Sequence, residues 1–438
     1  MSSSRPQSRP HTHTHTQAHT RPLTVLTSLF FMWGLITSLN DILIPHLKAM
    51  FSLSYVQAML IQFCFFAAYF LVSVPAGRLL QRLGYQRGIV TGLCIAAVGC
   101  LMFGPAESLH SYPLFLGALF VLAAGITLLQ VAANPYVTLL GRPETASSRL
   151  NLTQAFNSLG ATLGPLLGAV LILGAADQAA SAAQGGDSVQ GPYQALAAAL
   201  FVLALVMAMF RLPDAREIER AAEQAGPGDL PAGERGRLMA HRHLVLGAVA
   251  IFAYVGAEVS IGSFLINLMA DPSIAGLDHV QAGKYLALYW GAAMVGRFAG
   301  SAIMRHIPAS RVLALVAAAN VVLIGAAIAL GGPAAMWLLL ATGLMNSVMF
   351  PTIFSLALEG LGALTSRGSG LLCMAIVGGA IVPLLQALVA DHVGLLVSFA
   401  VPLVCYVYIA HYGAAGHRPV AVESAEPPPA GAALGAAA

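Results

Sequence analysis

Residues 148–167 read SRLNLTQAFNSLGATLGPLL and residues 366–385 read SRGSGLLCMAIVGGAIVPLL. Each begins Ser-Arg and ends Pro-Leu-Leu, with 16 residues from arginine to proline, and the two stretches lie 218 positions apart. Gly77 and Gly296 recur at an offset of 219, and Pro135 and Pro351 at 216. Landmarks sharing nearly one offset point to two related halves within one chain. The hydrophilic run LPDAREIERAAEQAGPGDLPAGERGR (212–237) falls between those halves and reads as their connector.

The composition says what kind of halves these are. Of 438 residues, 58% are hydrophobic and 9% charged, against roughly 25% charged in a soluble domain. A soluble fold would need a charged skin that this chain cannot supply, whereas a lipid bilayer removes the need. Apolar stretches of about 20 residues, long enough to cross a bilayer, fall near 24–46, 55–79, 88–106, 112–140, 149–174, 192–212, 243–270, 283–304, 310–331, 334–358, 368–391 and 393–413. The expectation is an all-α polytopic membrane protein with twelve transmembrane helices. A net charge of +3 gives no case for nucleic-acid binding. The five cysteines sit in apolar segments without a CxxC pair and read as small packing residues. No phosphate-binding loop, nucleophile elbow or zinc spacing is present, so no enzyme and no cofactor is expected.

Charge sets the orientation. Of the 21 Lys and Arg, 18 fall before the first span, in the loops after even-numbered spans, or in the tail. Lys48 and Lys284 lie on the opposite side, and Arg297 lies inside a span. The positive-inside rule then places both termini in the cytoplasm. The organisation expected is a disordered leader (1–22, with HTHTHTQAHT and no signal-peptide pattern), an N-terminal six-helix bundle (23–212), a cytoplasmic linker (213–242), a C-terminal bundle (243–413) and a disordered tail (414–438). Parallel six-helix repeats joined by a cytoplasmic connector describe the major facilitator fold, with a cavity between the halves at mid-membrane. The loop Gly77-x-x-x-Gln81-Arg82-x-Gly84-x-x-Arg87 resembles the facilitator signature, with Gln81 where an acid is usual.

Polar residues inside the spans are the candidate machinery, because a charge at mid-bilayer costs at least about 2.5–3.5 kcal/mol. Asp41 follows Asn40 in the first span, and Glu258 lies midway along the seventh. The bland alternative for either acid is a structural pair with Arg297 or a backbone group. Gln130 and Asn134 are four apart on one helix face, while Asn151, Gln154 and Asn157 recur every three residues. Amides both donate and accept, which suits a ring of sugar hydroxyls, although helix–helix bonding explains any one of them equally well. Asn267 joins this set from the seventh span. Trp290, Tyr285 and Tyr289, with Trp33 and Phe30, offer rings that could stack on a pyranose.

The motifs LNDILIPHLK (39–48), QAMLIQFCFFAAYFLVSVPAG (57–77), LLQVAANPYVTLLG (128–141), SRLNLTQAFNSLG (148–160), YVGAE (254–258), GRFAGS (296–301) and FPTIFSLALEGLG (350–362) resemble the fucose–galactose–glucose–proton symporter branch of the major facilitator superfamily. The resemblance implies proton-coupled monosaccharide uptake across a bacterial inner membrane, and a monomer is expected. It makes Asp41 a proton and sugar site, and places Asn40, Gln154 and Asn157 in the sugar pocket. Fucose symporters carry a second acid where this chain has Gln130 and a tyrosine where it has Phe350, and they lack an acid at Glu258. LLQVAANPY with GAEVS is similar to the glucose/galactose permeases, so D-glucose and D-galactose are expected over L-fucose, another hexose or an amino sugar. A sodium-coupled carrier and a drug–proton antiporter are the rival expectations. In the expected cycle Asp41 takes up a proton, sugar binds the amides, and the halves rock. Glu258 serves either as a sugar ligand or as a second proton site.

Overall fold

The computed structural model describes residues 22–35, 38, 55–168, 190–210, 213 and 238–419. Asn40, Asp41, the leader apart from Pro22, most of the linker and the tail from 420 onward lie outside them. The described residues form helices and turns, with no strand among them.

Twelve helices follow one another: α1 (Pro22–Leu35), α2 (Tyr55–Leu83), α3 (Tyr85–Ser108), α4 (Tyr112–Leu139), α5 (Ala146–Gly168), α6 (Gln190–Met209), α7 (Arg242–Ala270), α8 (His279–Ile303), α9 (Ala309–Leu330), α10 (Gly332–Leu358), α11 (Gly362–Val393) and α12 (Leu395–Gly416). Eight of them are long and apolar enough to cross a membrane on length and composition alone. Among the others, α5 and α8 carry Arg149, Asn151, Gln154 and Asn157, and Lys284 and Arg297. Polar load of that kind belongs to helices that face protein or a cavity rather than lipid. Outward faces are apolar instead: Val202 and Leu205 of α6, Leu315 and Val322 of α9, and Val404 of α12 are all exposed. A hydrocarbon solvent makes that arrangement stable.

The repeated sequence maps onto the seam between the halves. α5 packs on α8 and on the second part of α10, and its repeat partner α11 packs on α2 and α4. Small residues allow the approach. A Cβ on Gly77 would stand 2.7 Å from Ser366 O, and one on Gly370 would stand 2.6 Å from Ser73 O, so α2 and α11 meet backbone to backbone.

Besides a turn at Phe399 in α12, two helices are interrupted where the sequence suggested continuity. α10 runs Gly332–Asn346 and resumes at Met349–Leu358, and α11 passes through a 3-10 turn at Ala375–Val377. Both breaks fall inside the bundle, where side chains from neighbouring helices can satisfy displaced carbonyls.

Candidate substrate and coupling site

In the first half the amides meet as a run. Tyr69 of α2 donates to Gln130 Oε1 of α4 at 2.8 Å. One turn along α4, Asn134 Oδ1 accepts from Gln154 Nε2 of α5 at 3.3 Å. Asn157, on the next turn of α5, donates to Phe30 O of α1 at 2.9 Å. Gln130, Asn134 and Gln154 are buried and Asn157 is half-buried. Asn134 Nδ2 is buried with no hydrogen-bond partner among the described residues. Each of these side-chain amides makes one hydrogen bond to the protein and keeps donors and acceptors beyond it.

The second half holds a network that joins the expected Glu258 and Tyr289 to a hub, Asn346, absent from the expected set. Asn346, fully buried at the α10 break, donates to Tyr289 Oη of α8 at 2.7 Å. Its Oδ1 accepts from Asn320 of α9 at 2.8 Å and from Tyr406 of α12 at 2.7 Å. Tyr254 of α7 shares its hydroxyl proton between Glu258 Oε1 at 2.7 Å and Asn346 O at 3.1 Å. Arg297 Nε of α8 donates to the adjacent carbonyl, Ser347 O, at 3.0 Å. Two successive carbonyls at the break therefore anchor an acid's partner and a base side by side.

Arg297 also crosses the seam, because its Nη1 donates to Ser158 Oγ of α5. Ser158 Oγ in turn lies 3.1 Å from Gln154 O. The amide run of one half and the Glu258 network of the other thus meet through one guanidinium. Glu258 lies within electrostatic reach of Arg297, yet the ion pair found among the described residues is Arg142–Glu144, on the surface.

At the face where the loops after α2, α4, α8 and α10 emerge, the halves are closed together. Ser147 and Ser355 hydroxyls lie 2.5 Å apart, and Asn151 Nδ2 donates to Thr352 Oγ1 at 3.2 Å. Ser148 Oγ donates to Ser301 O at 2.6 Å, and Ser369 Oγ donates to Val131 O at 2.8 Å. Gln81 Nε2 reaches Ala363 O at 3.4 Å. Along α5 these bonds give way to Arg297–Ser158 and then to Thr162 Oγ1–Met294 Sδ at 3.7 Å. This closure uses hydroxyls and amides, with no ion pair across it among the described residues.

Several expected site residues sit elsewhere. Phe30 and Trp33 are core residues, in ring contact with each other, and Tyr289 is fully buried under Asn346. Tyr285 stands edge-on to Trp337. Trp290 is 44% exposed and lies over Gly262, one turn of α7 beyond Glu258, so it alone of these rings offers an open face. Asn267 is exposed and nine residues past Glu258. Nine residues make two and a half turns, which sets it on the opposite side of α7 from the carboxylate.

The Major Facilitator Superfamily model matches residues 26–383. The chain is 58% identical over 396 residues to the glucose/galactose transporter of Brucella abortus, covering 90% of this chain and 94% of that protein. It is 34% identical over 403 residues to the L-fucose-proton symporter of Escherichia coli, covering 89% and 91%. The crystal structure of the transporter FucP in the outward conformation superposes with a TM-score of 0.80 at 32% identity, covering 91% of this chain and 99% of that one. On fold, family match and relatives together, the chain belongs to the Major Facilitator Superfamily and is a membrane transporter rather than an enzyme.

Proposed function

We propose that this protein imports D-glucose and D-galactose across the bacterial inner membrane by proton symport. The observation that carries the reading is the amide run Gln130–Asn134–Gln154–Asn157, which meets Arg297 at Ser158, with the half-buried carboxylate of Glu258 within electrostatic reach of that arginine. Neutral donors and acceptors beside a carboxylate suit a polyhydroxylated, uncharged ligand. Trp290 supplies an apolar face one helical turn away. The Brucella abortus relative is a glucose/galactose transporter, which supports the choice of sugar, and the Escherichia coli relative is an L-fucose-proton symporter, which supports the proton.

The loop-bearing face holds most of the Lys and Arg, so we assign it to the cytoplasm together with both termini. Closed hydroxyl contacts on that face then make this the outward-facing state. By the resemblance, we assign Asn40 to the sugar and make Asp41 a proton carrier, with Glu258 as a second titrating group. Neutralising an acid before the cavity closes removes the cost of sealing a charge in a low-dielectric site. Each half would hold its own side of the sugar, and rocking of the halves would expose it to the cytoplasm. One polypeptide suffices for this cycle.

Uptake of a labelled hexose panel into proteoliposomes, with an imposed pH gradient, a sodium gradient or neither, tests the reading. Accumulation of glucose and galactose under the pH gradient alone is expected. Dependence on sodium would replace the proton, and failure with every sugar would return the protein to the drug-transporting branches of the superfamily.

A further inference from the structure

Arg297 stands where none of the proposed sugar or proton contacts requires a cation. A guanidinium among apolar helices is costly unless it is bonded and used. Two of its bonds are known: Nε to Ser347 O within its own half, and Nη1 to Ser158 Oγ in the other half. These ties differ in kind. Ser347 and Arg297 move together when the halves rock, whereas Ser158 moves with the opposite half. Glu258 is held beside this arginine, because Tyr254 bonds both its carboxylate and the carbonyl adjacent to Ser347 O. Within electrostatic reach of Glu258 are Tyr254, bonded to it from its own helix, Tyr289 and Arg297 on α8, and Tyr406 on α12. Arg297 is the one among them that brings a positive charge.

We propose that Arg297 is the residue that couples rocking of the halves to proton release from Glu258. In the state seen here Ser158 holds the guanidinium across the seam, and Glu258 keeps its hydrogen bond from Tyr254. When the halves shear, Ser158 is withdrawn and Nη1 is left without its partner. The guanidinium, still tethered at Ser347 O, turns onto the carboxyl of Glu258. A positive charge at contact distance favours the ionised acid. The carboxyl O–H bond breaks, the proton passes to water in the cavity now open on the opposite side, and the carboxylate remains paired with the arginine. Return of the empty carrier brings Ser158 back, recaptures Nη1 and leaves Glu258 ready to take another proton. This inference rests on the reading that Glu258 titrates during transport.

The test uses the full-length protein in proteoliposomes with labelled D-glucose. Equilibrium exchange is measured across a range of pH, and accumulation is measured under an imposed pH gradient. Arg297→Gln keeps a donor for Ser347 O at the Nε position, but carries no charge and is too short to bond Ser158. It should retain exchange while losing at least about tenfold in gradient-driven accumulation, and the alkaline limb of its exchange profile should move up by about one pH unit. Arg297→Lys keeps the charge and should recover accumulation in part. Ser158→Ala releases the guanidinium early and should move the alkaline limb the other way. In a Glu258→Gln background, Arg297→Gln should produce no further shift. Wild-type accumulation and an unmoved limb in Arg297→Gln would overturn the proposal. So would equal loss of exchange in the Gln and Lys variants, which marks a purely structural tie, or a shift that persists without Glu258. Wild-type protein that fails to accumulate sugar under a pH gradient sinks the functional reading itself, and is recognised before any variant is compared.

Discussion

Ser148 and Ser301, 153 positions apart, exchange hydrogen bonds reciprocally: Ser148 Oγ donates to Ser301 O at 2.6 Å, and Ser301 Oγ donates to Ser148 O at 2.9 Å. Each hydroxyl satisfies the other residue's carbonyl where α5 crosses α8, so the crossing is held by two bonds that must break together. Removing both hydroxyls with Ser148→Ala/Ser301→Ala should weaken the closed state by about 1–3 kcal/mol, taking about 0.5–1.5 kcal/mol per neutral bond. Amide hydrogen exchange near residues 143–151 and 350–358 should quicken accordingly. Unchanged protection there would mean that apolar packing, not these hydroxyls, keeps the face shut.

The same face should be cytoplasmic. Reporter fusions after residues 225 and 425 are expected to read as cytoplasmic, given 18 of 21 Lys and Arg on that side. A periplasmic signal at either position would invert the assignment of this state as outward-facing.

The amide run should bind sugar at modest cost per residue. Gln154→Ala and Asn157→Ala should each weaken hexose binding by about 0.5–1.5 kcal/mol, measured by calorimetry on purified protein. Asn157 also ties α5 to Phe30 O of α1, so its replacement should lower thermal stability as well. Wild-type affinity in both variants would return these side chains to helix packing alone.

Asn346 makes a separate prediction about stability. Three side-chain bonds converge on it from α8, α9 and α12. Bonds between membrane helices average about 0.6 kcal/mol and reach about 1.7 kcal/mol. Asn346→Leu should therefore destabilise the second half by roughly 2–4 kcal/mol, with a matching fall in melting temperature in detergent. A stability change close to zero would show that Asn320, Tyr289 and Tyr406 find other partners.

The spans were legible because length, apolarity and charge spacing all act in one dimension along the chain. Side-chain direction was harder to read. Asn151, Gln154 and Asn157 share a spacing of three, but a helix has 3.6 residues per turn, so each step drifts by about 60°. By Asn157 the drift is about 120°, which is why Asn151 bonds Thr352 across the seam while Asn157 bonds Phe30 of α1. Asn267 lies half a turn of α7 away from Glu258, a direction that its place in the sequence alone did not convey. The Asn346 hub was visible as the polar pair Asn346-Ser347 inside LMNSVMF, yet nothing local revealed that α10 breaks there. That break depends on Tyr254 and Arg297, which reach its carbonyls from α7 and α8.

The remaining prediction concerns which acid carries the coupling proton, Asp41 or Glu258. An acid that only shapes the pocket and one that carries the proton respond differently to amide substitution. Asparagine or glutamine imitates the protonated acid in size and charge but cannot release a proton. If Asp41 is the carrier, Asp41→Asn should still exchange labelled for unlabelled sugar, because exchange needs only the loaded carrier to rock. Accumulation under a pH gradient should vanish, and exchange should keep only the pH dependence owed to Glu258. Glu258→Gln should keep the pH dependence owed to Asp41, while accumulating less sugar for a given gradient if two protons are handled in turn. Should Asp41→Asn concentrate sugar while Glu258→Gln cannot, the carrier is Glu258 on α7, where Tyr254 already donates to its carboxylate at 2.7 Å and Arg297 stands beside it. If both variants concentrate sugar under a pH gradient, neither acid is the coupling site. Accumulation that follows a sodium gradient instead would show that the driving ion is not a proton.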